Sequence, residues 1–290
     1  QVGKTTFIEH VLTQQKGTIL NLDSPIDKDR LIAISKLEMD EAMRSIGNPE
    51  ILIIDEAQRL PEVGYIVKGW YDKHISTHMV LLGSSSLDLL SKTTESLQGR
   101  NNKLYLTPLL FREILENQSW FSSSFSFKIL QQSFSAQIQT LLMQHMVYGG
   151  YPKAVTTPEK EQYLINLTND YLLTDIFRSS LIKSSDVVRK LLSLLAYQVG
   201  SEVSISELAT NLQIARVTVE RYLELLEQTF VIFKLPAFST NQRKEIVKSK
   251  KIYFWDTGVR NALLKEFSTS EYRPDIGALW ENYCVAEMAK

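Results

Sequence analysis

The sequence predicts an α/β chain: an open parallel sheet with helices between its strands, followed by a helical connector and a winged helix-turn-helix pattern. Three observations carry that prediction. The unbroken apolar runs Ile51–Ile54 and Met79–Leu82 are of the kind found in parallel strands covered on both faces. Helical stretches separate such runs, and strands alternating with helices imply right-handed crossovers. After Pro108 the alternation stops, and from Ser185 onward three helical stretches precede two strand-like ones.

In chain order, Phe7, Ile8, Val11 and Leu12 give one apolar face to a first helix that opens at Gly3. Thr18–Leu22 reads as a short strand ending at Asp23. Polar helical stretches from Asp27 to Ser45 lead to the Ile51 strand, with Asp55 at its carboxyl end. A helix near Tyr65 to His74 precedes the Met79 strand, which ends in Gly83-Ser84-Ser85-Ser86, and Lys103–Thr107 reads as a further strand. The connector holds helical stretches at Ile129–Val147 and Lys160–Lys183. Its boundaries are the Ser-rich segment Ser119–Ser126 and the turn Tyr148-Gly149-Gly150-Tyr151-Pro152. Beyond it, Val187–Tyr197, Ser206–Asn211 and Ala215–Gln228 read as helices, and Phe230–Leu235 and Lys251–Trp255 as strands flanking a basic hairpin. Asp256-Thr257-Gly258 reads as a turn, and Ile276–Lys290 as a helix. The expected domains are a core at 1–118, a helical lid or connector at 119–184, a winged helix at 185–262 and the start of a further domain at 263–290.

Composition narrows the function classes. With 32 Lys+Arg against 33 Asp+Glu, a uniformly basic nucleic-acid coat is excluded. At 44% hydrophobic and 22% charged residues the chain can build a sizeable core, which argues against long disorder. The lone Cys284 cannot form an internal disulfide, and the four histidines lack zinc-ligand spacing. No apolar run approaches the ~20 residues that cross a bilayer. The expectation is a reduced, cytoplasmic chain without a membrane span. It opens at Gln1 without a methionine, and its last helix has no terminating glycine, so the natural protein is expected to extend at both ends.

The opening Gln1-Val2-Gly3-Lys4-Thr5-Thr6 corresponds to the last part of the phosphate-loop pattern G-x-x-x-x-G-K-[ST], whose first glycine and preceding strand would lie upstream. Such a loop works because glycines let successive N–H groups converge on an anion, the next helix presents its positive end, and the lysine reaches the β and γ phosphates. Gly3, Lys4, Thr5 and Thr6 fit that cradle, with the Thr5 hydroxyl and Asp55 as Mg²⁺ ligands. Glu56 can then orient and deprotonate the attacking water, so the pair Asp55-Glu56 points to ATP hydrolysis where a lone aspartate would point to binding. Gly-Lys-Thr-Thr alone reads equally as a helix start on a charged surface. The buried strand ending in Asp55-Glu56, about fifty residues later, selects the nucleotide reading. Ser84 and Ser85 could sense the γ phosphate or simply cap a helix from Leu87. Arg100 is the first candidate to stabilise charge on the transferring phosphate, in cis or from a neighbouring subunit, with Arg59 and Arg178 behind it.

The basic hairpin holds Arg243, Lys244, Lys248, Lys250 and Lys251 opposed only by Glu245, which suits a wing reaching toward DNA phosphates. On the helix from Ala215, however, Glu220, Glu224 and Glu227 interleave with Arg216 and Arg221 and would repel a duplex. Its other reading is a protein-docking or structural helix with Val217, Val219, Tyr222, Leu223 and Leu226 packed inward. DNA and a protein partner both stay open, as does an oligomer. Tyr253 and Trp255 read as core of the wing strands rather than as base-stacking platforms.

Seven blocks in order resemble prokaryotic AAA+-like P-loop ATPases of the ASCE type, in which a winged helix and a domain of unknown function follow the ATPase module. They are Gln1–Thr6, Ile54–Pro61, Leu82–Ser86, Leu97–Arg100, Leu106–Glu113, Tyr148–Pro152 and Lys251–Gly258. The resemblance implies nucleotide and Mg²⁺ binding at Lys4 and Thr5, and metal-associated and water-activating carboxylates at Asp55 and Glu56. It assigns no role to the blocks around Phe111 and Tyr253. Relatives often carry threonine where this sequence has Leu82, and many continue into a restriction-nuclease-like segment that would lie past Lys290. Two further readings accompany the hydrolysing switch: a scaffold that senses nucleotide without turnover, and a helicase-like motor suggested by Asp55-Glu56-Ala57-Gln58. The motor lacks a second recombinase-like core.

Overall fold

A computed structural model describes residues 2–13, 15–83, 97, 99–172, 184–236 and 250–290. They divide into two compact units, Gly3–Leu106 and Thr107–Lys290.

The first unit is built on a parallel three-stranded sheet in the order β1-β2-β3, with β1 at Gly17–Asn21, β2 at Ile51–Asp55 and β3 at His78–Leu81. Register pairs Asn21 with Asp55 and Ile54 with Leu81. The middle strand is the most apolar, and Leu52, Ile53 and Ile54 are fully buried, as a strand covered on both faces requires. Among the described residues, four helices accompany it: α1 (Lys4–Leu12), α2 (Pro25–Ile34), α3 (Met39–Ser45) and α4 (Val63–Asp72). Ser24 caps α2 by accepting from Asp27 N–H at 3.4 Å, and Pro25 occupies its first turn, where a missing N–H costs nothing. Leu31, Ile34, Ala42, Val63, Val67 and Trp70 close over Leu20, Leu52 and Ile54 to form the core.

One expected strand is absent. Lys103–Thr107 adopts no strand and pairs with none among the described residues, and Leu104 is 92% exposed. An apolar run becomes a strand only where a neighbouring strand takes up its N–H and C=O groups.

The second unit opens with helices α5 (Phe111–Glu116), α6 (Phe127–Ser133), α7 (Ser135–Tyr148), α8 (Pro152–Thr156) and α9 (Lys160–Asn166), the last continuing as a π-helical segment, Leu167–Leu172. The helix expected over Ile129–Val147 is broken at Phe134, whose φ is −128°. Leaving the helical region lets the Phe134 ring stack on Trp120 at 5.0 Å and Phe125 at 5.5 Å, and such ring pairs add to the burial free energy. Next come α10 (Ser185–Tyr197), β4 (Glu202–Val203), α11 (Ile205–Leu212), α12 (Arg216–Gln228), β5 (Ile232–Leu235) and β6 (Lys250–Phe254). The three strands form an antiparallel sheet in the order β4-β6-β5. Val219, Tyr222, Leu223 and Leu226 of α12 are buried as expected, but Val217 is 73% exposed because it lies on the face shared with Glu220 and Glu224.

Asp256-Thr257-Gly258 is not a free turn. Asp256 caps α13 (Thr257–Leu264), its Oδ1 accepting from Val259 N–H at 3.1 Å. The chain then reaches α14 (Ile276–Ala289). Among the described residues no helix is long and apolar enough to cross a membrane.

Candidate functional site

In the first unit α1 begins at Lys4 behind Gly3, whose φ of 87° and ψ of 20° are left-handed. Glycine takes that conformation without a Cβ penalty. The first turn carries no acidic residue, and Thr5 and Thr6 are exposed, so the positive end of the helix is presented without internal neutralisation. Because β1, β2 and β3 run parallel, Asn21, Asp55 and Leu81 all lie at one sheet edge. Lys4 Nζ donates to the carbonyl of Gly83, two residues beyond β3, which brings the opening of α1 to the edge that carries Asp55.

At the tip of β2 the backbone turns sharply. Glu56 has φ 50° and ψ 41°, and its N–H donates to Asp55 Oδ1 at 2.9 Å. A single 3₁₀ turn, Ala57–Arg59, follows, with Ala57 N–H bonded to the Leu82 carbonyl at 2.9 Å. Gln58 Nε2 donates to Glu56 Oε2 at 2.6 Å, and Arg59 Nε pairs with Asp23 Oδ1 at 2.6 Å. This end of the sheet thus carries two adjacent half-buried carboxylates, and the lysine that opens α1 reaches the chain just beyond the neighbouring strand. Among the described residues no group of three or more His, Cys, Asp or Glu forms a metal cage. The Thr5 hydroxyl and the Asp55 carboxylate are oxygen donors of the type that hard cations such as Mg²⁺ take.

Lys4 reaches the Gly83 carbonyl beyond β3, the strand that pairs with β2, while Gly3, Thr5 and Thr6 flank Lys4 at the start of α1 and Asp55 and Glu56 stand at the end of β2. Ser84, Ser85 and Arg178 lie outside the described residues. Arg100 Nε is bonded to Asp72 Oδ1 of α4 at 2.9 Å. Of the basic hairpin, Arg243, Lys244 and Lys248 lie outside the described residues, whereas Lys250 is exposed at the start of β6. Lys251 corrects the expectation that only Glu245 opposes the hairpin charge, because its Nζ meets Glu281 Oε1 of α14 at 2.9 Å. Hydrogen bonds from Lys251 and from the Tyr253 hydroxyl hold the Glu281 carboxyl below its usual range. A reading of the hairpin alone could not find Glu281, thirty residues away. Gln58, read only as part of the helicase-like Asp55-Glu56-Ala57-Gln58 block, bonds to Glu56 across the tight turn, a spacing of two that was a visible signal.

The second unit explains the blocks that had no role. Gly150 N–H donates to Asp256 Oδ2 at 2.7 Å, and Leu109 N–H donates to the Gly150 carbonyl at 2.7 Å. Phe111 N–H donates to Glu287 Oε2 at 2.8 Å, and Lys290 Nζ reaches Glu287 at 3.1 Å. Burial pushes the Asp256 carboxyl upward, against the pull of Lys290 and of the N–H groups that it accepts. Burial, helped by Lys290, drives His145 down to about 3. The segments around Phe111, Tyr148–Pro152 and Asp256 are thus one buried junction.

Comparison with known proteins bears on the same two units. Residues 1–115 match a family described as an AAA domain, and residues 139–270 match a domain of unknown function (DUF8612). The chain is similar to the uncharacterized protein Rv2008c of Mycobacterium tuberculosis, with 26% identity over 295 residues that cover all of this chain and 60% of the relative. It is similar to the uncharacterized protein MJ1544 of Methanocaldococcus jannaschii, at 26% identity over 99% of this chain and 64% of the relative. An uncharacterized protein of Haemophilus influenzae is 26% identical over 77% of this chain and 54% of its own length. The chain therefore spans just over half to two thirds of the length of these relatives. The AAA match and the parallel α/β sheet together support a P-loop NTPase-like core.

Proposed function

We propose that the unit Gly3–Leu106 binds ATP with Mg²⁺ and hydrolyses it, and that nucleotide state sets how the rest of the chain binds DNA or a protein partner. The observation that carries this reading is the Lys4 bond to Gly83, which sets the start of α1 at the strand edge where β2 delivers Asp55 and Glu56. In this reading Gly3, Lys4, Thr5 and Thr6 cradle the phosphates, and Thr5 and Asp55 hold the metal. A Mg²⁺ ion held by Thr5 and Asp55 would supply positive charge to offset that of the phosphates. Glu56 takes a proton from water as the water oxygen bonds to the γ phosphorus; the bond to the bridging oxygen breaks, leaving ADP and phosphate. An arginine finger at Arg100 must first exchange Asp72 for phosphate, and a sensing role for Ser84 rests on its position two residues past Leu82.

Helices α10 to α12 with the antiparallel β4-β6-β5 sheet support a winged helix at 185–262, joined through the connector at 119–184. DNA contact would fall to Arg243, Lys244, Lys248 and Lys250, since Lys251 is already paired. Steady-state hydrolysis by the full-length protein, compared with Lys4→Ala and Glu56→Gln, tests the reading. Lys4→Ala is expected to lose nucleotide binding. Glu56→Gln is expected to bind MgATP but turn over roughly 10²- to 10⁴-fold more slowly, the usual contribution of a positioned base. Turnover by Glu56→Gln equal to wild type would leave the nucleotide-sensing scaffold as the better description.

A further inference from the structure

We infer that Gln58 is a positioning residue that presets the Glu56 carboxylate toward the attacking water; the inference rests on the hydrolytic reading above. Glu56 is the first residue past β2, and a left-handed backbone is uncommon for a residue with a Cβ. Such a conformation persists where its surroundings over-determine it. Here the backbone is fixed by Glu56 N–H on Asp55 Oδ1 at 2.9 Å, by Ala57 N–H on the Leu82 carbonyl at 2.9 Å, and by Arg59 N–H on the Glu56 carbonyl at 2.9 Å. Those bonds aim the chain, but they leave the Glu56 side chain its own torsions.

Gln58 Nε2 on Glu56 Oε2 at 2.6 Å restrains that remaining freedom. Side chains two apart meet because the left-handed turn and the 3₁₀ turn Ala57–Arg59 fold Gln58 back over the strand tip. An amide is suited to this task. It donates to one carboxylate oxygen without adding a positive charge beside the group that takes the proton of water. Gln58 is half-buried, which limits competition from solvent for the bond. Holding a reacting group in place before the substrate arrives avoids reorganisation during the reaction, and a displacement of about 1 Å can cost roughly 100-fold in rate.

The test is steady-state ATP hydrolysis by the full-length protein carrying Gln58→Ala or Gln58→Met, the second keeping side-chain length and volume but removing the donor. Both are expected to lower kcat about 10- to 100-fold while KM, binding of a fluorescent ATP analogue and the thermal melting point stay at wild-type values. A loss seen with Gln58→Ala but not with Gln58→Met would mean that packing, not the hydrogen bond, matters, and would overturn the inference. Wild-type kcat in both variants, with Glu56→Gln inactive, would overturn it and leave the hydrolytic reading standing. Full activity in Glu56→Gln would remove the hydrolytic reading and the inference together.

Discussion

His145 shows how far burial outweighs an ordinary preference. It lies at the end of α7, with its ring stacked on Phe111 at 6.0 Å and its Nδ1 3.3 Å from the Tyr283 hydroxyl. Burial and the nearby Lys290 charge lower it from 6.5 to about 3, so the folded protein keeps it neutral. The unfolded chain takes up that proton first, and the stabilisation present above pH 6.5 is lost as the pH falls toward 3. Urea midpoints measured between about pH 7 and about pH 5 should therefore show a loss on the order of 2 kcal/mol that His145→Gln does not share. Asp275 adds a second acid-sensitive step. Burial works against its charge, but hydrogen bonds from Arg273 and Arg260 prevail and hold it at about 2, so its contribution is lost only below the ordinary value of 3.8. The short Gln58 bond and the Arg273–Asp275 pair could be suspected from a spacing of two residues, whereas the surroundings of His145 and the contact of Arg260 with Asp275 were not written in the local sequence.

At the scale of elements, the Tyr148–Pro152 turn is tightly constrained. Gly149 has φ 70°, and a Cβ there would lie 2.0 Å from Asp256 Oδ1. A Cβ on Gly150 would lie 2.2 Å from the Leu109 carbonyl, which is backbone and cannot rotate away. Gly150→Ala is accordingly expected to destabilise the protein by about 1–3 kcal/mol, the usual range for overpacking, or by more if the Leu109 bond is lost as well. A denaturant midpoint close to wild type would contradict the tight approach. Most helices and strands were foreseeable at this scale because their apolar spacing is local: β2, α4, α10 and α12 all form where periodicity placed them. Two departures have one cause. Phe134 breaks a helix to reach an aromatic cluster, and Lys103–Thr107 forms no strand and has no pairing neighbour among the described residues. Each outcome depends on a partner that periodicity does not reveal.

At the scale of the molecule, the chemistry expected of α1 and β2 belongs to the unit Gly3–Leu106, and the buried junction belongs to the unit Thr107–Lys290. Nucleotide should therefore stabilise one unit selectively. With the full-length protein and MgATP at about 100 times its dissociation constant, the gain is expected to be about 2.7 kcal/mol, and hydrogen exchange should slow in β1, β2 and the first turn of α1 while α7 and α13 keep their rates. Chelating Mg²⁺ should reduce that protection. Equal slowing in both units would mean that the nucleotide acts elsewhere. Charge follows the same division. The hairpin seemed almost purely basic when read alone, but Glu281 of α14 crosses to Lys251, and an exposed pair of this kind changes the local field more than it changes stability.

Periodicity and residue type sufficed to specify the parallel strands, the opening helix and the acidic pair at the tip of β2, because each follows from neighbours within a few residues. The meeting of Lys4 with the end of β3, the restraint of Glu56 by Gln58 and the burial of Asp256 among glycines came from the folded chain. The first and third depend on which distant segments meet, which no local pattern encodes, and the second on how the backbone turns at a strand tip, which residue spacing only suggests.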